Sequence, residues 1–463
     1  MLHDLSYLPR QTRRRIEAWT EELTRHLYVP ITSLVWEGFL TYEHLSPEDA
    51  EKRVFRPFLE GTKWGAKGQY GWFRTSFILP EEYKGRILCS PIGIGGEMLV
   101  YFDRKAVGSI DRHHRLVYLS FDAEEAEHSL LVESYAGSGV LLEGGGPIPP
   151  DREVYPPVPA TQQQIKQPSI GYMEECVYQL YHDVFTLTNL LEVLEPTSLQ
   201  AESIVAALFS FTEIVDFEQN REMLLASCEK ARTMLAPLLA WKNGSCAPQF
   251  TVFGQSHIDL AWKWTSEETK RKCGRTYSNQ ITLLKQYPEY RFLLCEPALV
   301  EMLRTYHPAM FAKVTALVKT RQIIAEGAFW VECDTNLPGA ESLIKQLVYG
   351  QRWFYAETGR YSTFAWLPDT FGFSASLPQL LIQSGVESFG TQKLLRADPE
   401  SDPFPFTDFW WEGEDGTKIL SNMCYRNNCE ITPKELYKRW HVNRNQHENI
   451  SGLIYPFGYG DGG

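Results

Sequence analysis

Hydrophobic and polar positions change their spacing several times along the chain, and each change predicts a different kind of element. Residues 6–28 place apolar side chains at the spacing of an amphipathic helix. From about residue 30 to 145, short runs that alternate apolar and polar residues, such as Trp72 to Leu79, are separated by glycine pairs and polar turns. Alternation with a period of two is typical of strands, so this region predicts an antiparallel β sandwich.

A proline-rich stretch and then a helical stretch follow the alternating region. Six prolines lie between Pro147 and Pro159, which excludes a helix or a central strand and predicts a linker or a wrapping segment. From Tyr172 to Lys242 the apolar spacing is helical, with an interruption at Pro196. We therefore expect two to four helices in this part of the chain.

After Gln249 the pattern changes again, to short apolar runs that alternate with helical stretches. The helical stretches cover residues 264–287, 297–318, 339–358 and 374–384. This alternation predicts a parallel sheet or a β/α barrel with its functional site at the carboxyl ends of the strands. The predicted organisation is therefore an N-terminal helix over 1–29, a β sandwich over 30–146, a proline-rich linker and helical segment over 147–247, and a β/α domain over 248–463.

Composition narrows the classes of function. Among 463 residues, 45 basic and 58 acidic side chains give a net charge of -13, which argues against nucleic acid as a partner. No run reaches the roughly 18 apolar residues of a membrane span, so we expect no membrane partner. Nine scattered cysteines form neither a disulfide framework nor a zinc pattern, which favours a cytoplasmic location. Aromatic residues make up 13% of the chain, and their flat faces suit sugar rings, although most are expected in cores.

The most distinctive local motif is HIDLAW, where a predicted strand ends. His257 and Asp259 are two residues apart, so in an extended segment they project to the same side and could bind one cation. Trp262 follows within the same motif. The alternative interpretation is a surface pair that binds nothing.

Further carboxylates follow other predicted strands. Asp369 comes directly after a strand, where a barrel presents ligands or nucleophiles, although a helix N-cap is the alternative. Glu326, Glu332 and Asp334 cluster beside Trp330. If they face a pocket they repel one another and their pKa values rise unless a metal or a substrate compensates. Solvated loop acids are the alternative.

The last motif is FGYGDGG, in which glycines permit close approach of the backbone to a ligand and direct Asp461 from a strand end. A plain turn is the alternative. The sequence stops inside this loop, and we expect that it is a truncated chain. His257, Asp259, Asp369 and Asp461 all follow predicted strands of one domain, so a shared site is favoured over four unrelated positions.

Six segments, in this order and at similar spacing, resemble the α-mannosidases of glycoside hydrolase family 38: HIDLAW, WVECDTNLPGAE, WLPDTFGFSASLPQLL, TQKL, FWWEG and FGYGDGG. The resemblance is strongest over 250–463 and is nearest to the cytosolic and vacuolar branch with its bacterial relatives. It implies a seven-stranded β/α barrel, one zinc ion and cleavage of terminal α-mannosyl linkages of oligosaccharides. Configuration would be retained through a covalent mannosyl-enzyme intermediate.

The resemblance also implies roles for individual residues. His257 and Asp259 resemble the first two zinc ligands, and Asp369 resembles the nucleophile, which in this family also contacts the zinc. Asp461 is similar to the general acid/base of the family. The family's fourth zinc ligand is a histidine in a downstream LHxGTYT segment, which does not occur in this sequence, and family members are roughly twice as long.

Three further residues are implied to bind substrate. Trp262 resembles the aromatic residue that packs beneath the mannose ring, Lys393 occupies the place of a basic residue near the nucleophile, and Asp334 belongs to the WVECDTN motif. Relatives often associate, so a homo-oligomer is also expected.

Two alternative functions stay open. A metal-dependent carbohydrate deacetylase also uses His and Asp at strand ends, but it is expected to carry an H-x3-H pair, which does not occur after His257. A non-catalytic sugar-binding protein would bind mannosides without hydrolysis, and chelator would not affect that binding.

Overall fold

The computed structural model describes residues 5–84, 86–120, 127–137, 161–393, 404, 406–424, 429–441 and 450–462. The predicted proline-rich linker between 147 and 159 lies outside these described residues. The chain divides into two compact units. The first comprises Met1–Pro30, Gly171–Thr251 and Cys429–Leu453, and the second comprises Ile31–Ile170, Val252–Asn428 and Ile454–Gly463.

Within the described residues the α-helices are α1 (Arg10–Arg25), α2 (Pro47–Glu51), α3 (Glu175–Leu191), α4 (Leu199–Ile214), α5 (Arg221–Leu239), α6 (Ser266–Gln286), α7 (Pro297–Tyr306), α8 (Pro308–Lys319), α9 (Ala340–Thr358), α10 (Leu377–Gln383) and α11 (Pro433–His441). None of these helices combines the length and the apolar character that crossing a membrane requires.

The strands are β1 (Tyr28–Ser33), β2 (Trp36–Thr41), β3 (Arg56–Phe58), β4 (Lys63–Trp64), β5 (Tyr70–Ile78), β6 (Leu88–Ser90), β7 (Glu97–Phe102), β8 (Lys105–Ile110), β9 (Val117–Ser120), β10 (Glu127–Tyr135), β11 (Gln163–Gln164), β12 (Ser169–Met173), β13 (Gln249–Gln255), β14 (Phe292–Leu294), β15 (Ile323–Ala325), β16 (Phe364–Leu367), β17 (Ser388–Thr391), β18 (Asp408–Glu412), β19 (Lys418–Met423) and β20 (Gly452–Phe457). The protein therefore has mixed α and β content with several sheets, as the sequence pattern predicts.

The first unit is built around packed helices. Helices α1, α3, α4 and α5 bury one continuous apolar core, which includes Leu23, Leu180 and Phe211. The helix starts follow from local capping, since Ser198 accepts a hydrogen bond from the backbone N–H of Ala201 at the start of α4. The prediction of two to four helices between 172 and 242 is confirmed, because α3, α4 and α5 occupy that stretch.

The second unit contains an antiparallel β region in residues 31–136. Its largest sheet has six strands in the order β3-β2-β5-β10-β7-β8, and β5 pairs antiparallel with β10 over nine residues. Beneath this sheet Trp36, Phe73 and Val132 are buried in a shared apolar core. The alternating pattern of the sequence thus corresponds to antiparallel strands, although the central strand β7 is buried on both faces. We call residues 31–136 the β region.

The same unit contains an α/β region over 252–428 and 454–463. One sheet has the order β15-β14-β13-β20, and another has the order β16-β17-β19-β18. Strands β13, β14 and β15 run parallel, as do β16, β17 and β19, whereas β18 is antiparallel to β19. A parallel bridge joins Gly327 to Ala365, at the junction of the two sheets.

Two details of the α/β region differ from the sequence pattern. The stretch 297–318 forms two helices, because Pro308 has no N–H to continue α7 and instead begins α8. The antiparallel hairpin of β18 and β19 was not predicted, since an isolated strand pair inside an α/β pattern carries no periodic signal of its own.

Candidate functional site

The ionisable side chains that could bind a metal or take part in catalysis follow the carboxyl ends of neighbouring parallel strands in the second unit. His257 and Asp259 follow β13, Glu296 follows β14, and Glu332 lies in the loop after β15. Asp369 follows β16, Lys393 follows β17 and Asp461 follows β20. Parallel strands present their carboxyl ends at one edge of a sheet, which explains why residues so distant in sequence approach one another.

His257, Asp259 and Asp461 form a group that could hold a metal ion. One ligand atom from each of the three lies within 4.8 Å of the others. The backbone also joins them, because Asp461 N donates to the carbonyl of His257 at 2.6 Å and Asp259 N donates to Asp461 Oδ1 at 3.2 Å. An imidazole nitrogen and carboxylate oxygens are ligands that zinc accepts. We call these three residues the metal-candidate group.

His257 fits closely against the glycine-rich loop. It is only 4% exposed, and a Cβ added at Gly460 would lie 2.1 Å from its Cε1 atom. Any larger residue at 460 would therefore displace the imidazole. Asp461 has a left-handed backbone conformation, with φ of 61°. Asp tolerates this region better than most residues, and the glycines on either side let the loop turn here.

Negative charge is crowded around Asp259. Burial, and then the charges of Asp461 and Asp369, raise its pKa to about 6 against the opposing effect of His257. Neighbouring carboxylates disfavour the charged form of a carboxyl group, and a bound cation stabilises that charged form. The electrostatics of the metal-candidate group therefore agree with its ligand geometry.

Glu296 joins two of the strand-end loops. It is 4% exposed, and its Oε1 accepts from the backbone N–H of Ile258, between His257 and Asp259, at 3.3 Å. Its Oε2 accepts from Glu332 N at 3.3 Å. Burial raises the pKa of Glu296 to about 7, an effect that the two backbone donors reduce. This carboxyl group therefore holds the main chain between the two predicted zinc ligands.

Glu332 extends the same chain of contacts toward Asp369. The backbone N–H of Thr370, the residue after Asp369, hydrogen-bonds to Glu332. Within the described part of the chain, its Oε1 atom is inaccessible to solvent and has no hydrogen-bond partner. Burial raises its pKa well above the usual value, and Glu296 and Asp369 raise it further. Glu296 and Glu332 together connect the loops after four consecutive parallel strands.

Asp369 forms an ion pair with Lys393. Lys393 Nζ lies 2.7 Å from Asp369 Oδ1, and both side chains are about three-tenths exposed, at 30% and 28%. The same ammonium lies 4.7 Å from the ring centroid of Phe371, whose face is open to solvent. Asp369 is thus presented at an accessible position with a cation beside it, and it is not a member of the metal-candidate group within the described residues.

Trp262 has an accessible ring. It is 52% exposed, meets Trp264 at right angles with centroids 5.6 Å apart, and lies 4.0 Å from Lys263 Nζ. An exposed indole held by a second indole offers a flat apolar surface. This arrangement is compatible with the predicted platform for a sugar ring, whose contact with substrate stays a prediction.

The acidic cluster beside Trp330 does not form one site. Glu326 is paired with Arg360 at 2.6 Å and accepts from Ser362 Oγ at 2.6 Å. Asp334 is exposed, and its Oδ1 accepts from the backbone of Asn336 and Leu337, at 2.7 and 2.8 Å, which is the geometry of a local turn. The role of Asp334 in substrate binding stays a prediction. Of the three acids, Glu332 is the one that interacts with Glu296, Asp369 and Asp259.

Sequence reasoning missed Glu296. Its signal was present, because FLLCEP places a carboxylate after a short apolar strand at the position where HIDLAW places its own ligands. It was overlooked because a single Glu after a strand is common, and only the structure shows that its two oxygens hold two different loops.

Comparison with known proteins agrees with this geometry. Residues 247–463 match the glycosyl hydrolases family 38 N-terminal domain. "Alpha-mannosidase 2C1" of Mus musculus is 28% identical over 448 residues, which cover 95% of this chain and 42% of that protein. "Alpha-mannosidase" of Saccharomyces cerevisiae is 30% identical over 437 residues, which cover 90% of this chain and 38% of that protein. The chain thus spans about two fifths of the length of these relatives.

Among solved structures, an alpha-mannosidase from Enterococcus faecalis V583 aligns with a TM-score of 0.40 and 19% identity, covering 46% of this chain and 25% of that one. The site region, with its carboxylates and one imidazole at strand ends, lies within the residues that match the glycosyl hydrolases family 38 N-terminal domain. Residues 247–463 thus carry the similarity to glycoside hydrolase family 38, and the alignments with alpha-mannosidases extend that similarity over most of the chain.

Proposed function

We propose that the protein is a retaining α-mannosidase that hydrolyses terminal α-mannosyl linkages of oligosaccharides through a covalent mannosyl-enzyme intermediate. The observation that carries this proposal is the placement of an accessible carboxylate, Asp369, beside a group of metal-ligand type within the region that matches family 38. The similarity of the chain to alpha-mannosidases over most of its length supports the choice of mannosides.

The proposed architecture is a β sandwich followed by a helical segment and a (β/α)7-type barrel, with domain boundaries at 29, 146 and 247. The parallel bridge between Gly327 and Ala365 supports continuity between the two sheets of the α/β region. The strand ends that carry the site residues then lie around one mouth, which is where barrels bind their substrates.

The residues present fit a zinc ion. His257, Asp259 and Asp369 are the proposed ligands, and Asp461 lies in the same group as the first two. The raised pKa of Asp259, caused by burial and then by Asp461, is the electrostatic condition that a cation would relieve. When bound, zinc would act as a Lewis acid and template for the 2- and 3-hydroxyls of mannose.

The chain's own residues account for the remaining chemistry. The carboxylate of Asp369 attacks C1 of the sugar as the bond from C1 to the leaving oxygen breaks, and Asp461 transfers its proton to that oxygen. Asp461 then takes a proton from water, whose oxygen attacks C1 and releases Asp369. Lys393 orients Asp369 through their 2.7 Å ion pair. Because Asp461 Oδ1 accepts from Asp259 N, the transferred proton resides on Oδ2.

The decisive test is Asp369→Ala in the full-length protein. We expect hydrolysis of an aryl α-mannoside to fall by about 10⁴-fold, since the covalent route is lost. A fluorinated mannosyl fluoride should also label the wild type on the peptide that contains Asp369, as mass spectrometry would detect. Asp415→Asn is the matched control, because the carboxylate of Asp415 accepts its hydrogen bonds from Thr417 in an exposed turn. Retention of a tenth or more of the activity by Asp369→Ala would exclude it as the nucleophile.

Zinc binding is tested separately. We expect one zinc ion per chain by elemental analysis, and a large loss of that zinc in His257→Ala. A cytoplasmic location and a homo-oligomer complete the proposal. The location is supported by the scattered positions of the nine cysteines, which do not have the spacing of a disulfide framework.

A further inference from the structure

The loop that carries Asp461 is held at three backbone or side-chain atoms of that residue. Asp461 N donates to His257 O, and Asp461 Oδ1 accepts from Asp259 N. The third contact comes from α6, where Lys272 Nζ donates to the backbone carbonyl of Asp461 at 3.2 Å. Because Asp461 has a left-handed backbone conformation, its carboxyl direction depends on these contacts.

Lys272 is in turn oriented by the β region. It is buried, and its Nζ also donates to Glu97 Oε2, on β7, at 3.0 Å. Arg275, one turn further along α6, donates to the same oxygen at 3.0 Å. Burial alone would raise the pKa of Glu97, but Arg275 and Lys272 hold it below its usual value, so Glu97 stays negatively charged. Glu97 therefore fixes the ammonium that binds the Asp461 carbonyl.

A second contact from the β region reaches the same loop. The ring of His113 stacks on Tyr459 with centroids 3.7 Å apart and an angle of 14° between the planes. His113 lies in the turn between β8 and β9, where Asp111 Oδ1 accepts from its backbone N–H at 2.7 Å. Tyr459 is two residues before Asp461, so this turn contacts the loop at a second point, distinct from the carbonyl that Lys272 binds.

We propose that the β region positions the general acid: Glu97, acting through Lys272, and His113, acting through Tyr459, are positioning residues that direct the carboxyl of Asp461 at the leaving oxygen. This inference rests on the proposed function, in which Asp461 is the acid/base. It gives the β region a role in the reaction itself, although none of its residues touches the reacting atoms. Neither contact can be read from the motifs that resemble family 38, because Glu97 and His113 lie outside all six.

Leaving-group chemistry separates this role from general support of the fold. A 2,4-dinitrophenolate departs without protonation, whereas the alkyl oxygen of a methyl mannoside, which is a poor leaving group, needs the general acid. The measured quantity is kcat/KM, which reports the first chemical step only and is unaffected by the later role of Asp461 as a base. We expect Glu97→Gln to lower kcat/KM about 10- to 100-fold for the poor leaving group, against a general-acid contribution of about 10²- to 10⁴-fold. For the dinitrophenyl mannoside the change should stay within about threefold.

Two controls accompany Glu97→Gln in the full-length protein. Glu37→Gln, in the exposed pair with Arg74 on the same sheet, should leave both substrates unchanged. His113→Ala removes an exposed side chain, so the variant is expected to fold. It should lower kcat/KM for the poor leaving group selectively, by a smaller factor than Glu97→Gln does. The dependence of kcat/KM on pH for the poor leaving group should also change in both positioning variants, but not in Glu37→Gln.

The outcomes are distinct. Equal losses on both mannosides, or no loss in both Glu97→Gln and His113→Ala, would overturn the inference while leaving the proposed function intact. A wild type that hydrolyses neither mannoside would overturn the proposed function and this inference together. Selective loss for the poor leaving group in both variants supports the positioning role.

Discussion

Two clusters of ionisable residues in the second unit differ in how their charges are matched. In the cluster between α6 and the β region, Glu97, Glu133 and Glu268 face three cations, Arg271, Lys272 and Arg275. We call these six residues the α6 network. At the strand ends, five carboxyl groups face one ammonium and one imidazole, and their members are Asp259, Glu296, Glu332, Asp369 and Asp461, with Lys393 and His257.

The difference in matching is visible in the pKa values. Burial still raises the pKa of Glu133, but Arg275 and Lys272 hold that of Glu97 below its usual value despite burial. At the strand ends, burial together with neighbouring carboxylates raises the pKa of Asp259 to about 6 and that of Glu296 to about 7. A matched cluster stabilises a fold, whereas an unmatched one is suited to hold a cation and a transferable proton.

The largest expected effect comes from removing one charge from the α6 network. Glu268 is buried, and it accepts hydrogen bonds from Arg275 and from the hydroxyl of Tyr70. Glu268→Gln should lower the free energy of unfolding by about 3 kcal/mol, because it leaves the buried guanidinium of Arg275 poorly compensated. Denaturant unfolding would measure this.

The matched control for that change is Glu37→Gln, which breaks an ion pair whose side chains are 47% and 48% exposed. Its effect should stay below about 1 kcal/mol, since solvent screens exposed pairs. If the two variants lost similar stability, the α6 network would not be the stabilising cluster that its geometry indicates.

We expect the stability of the protein to depend on pH through His307, which interacts with Arg271 of the α6 network. Burial and then Arg271 lower the pKa of His307 to about 4, against 6.5 for the unperturbed group. Between these values the unfolded chain binds a proton that the folded chain does not, so stability falls as pH drops from 6.5 to 4. The full effect is up to about 3 kcal/mol at 1.36 kcal/mol per pKa unit.

Comparing the wild type with His307→Gln across this pH range measures that contribution. The variant should have a shallower loss of stability below pH 6.5, while above about pH 7 the two proteins should show the same slope, because the imidazole is neutral in both states. Parallel curves at all pH values would contradict a neutral His307 in the folded protein.

The smallest expected effect has the opposite sign and comes from the strand-end cluster. In chelator-treated protein at pH 7, Glu332→Gln should raise the free energy of unfolding by about 1 kcal/mol. If Glu332 is charged in the folded protein, Glu296 and Asp369 repel it. If it is protonated, folding at pH 7 requires protonation of a carboxyl group that is ionised in the unfolded chain, so either state disfavours folding. A loss of stability as large as that of Glu268→Gln would remove the contrast between the clusters.

Much of this organisation could be predicted from the sequence. Periodicity located the strands that precede His257, Asp369 and Asp461, because the alternation of apolar runs with helical stretches is a local property. The placement of all three at strand ends followed from the same pattern. Local pattern also gave α3, α4 and α5, whose breaks coincide with Pro196 and with capping residues.

Other features could not be predicted, because they depend on contacts between distant parts of the chain. The pairing of Lys272 with Glu97 spans 175 positions, and its contact with Asp461 spans 189. A motif does not reveal whether a carboxylate is matched, so Glu326, Glu332 and Asp334 looked equivalent in sequence. In the structure Glu326 pairs with Arg360, and Asp334 accepts hydrogen bonds within a local turn. The charges beside Glu332 are instead the carboxylates of Glu296 and Asp369.

The sequence by itself determined which residue types stand at the ends of which strands, since hydrophobic periodicity and glycine positions act over a few residues. Tertiary structure alone decided which of those residues meet: Asp461 joins His257 and Asp259, Lys393 pairs with Asp369, and Glu296 holds the loop between the predicted ligands. The physical reason is that charge and hydrogen-bond matching depend on distance in space, which folding sets only after the strands have aligned.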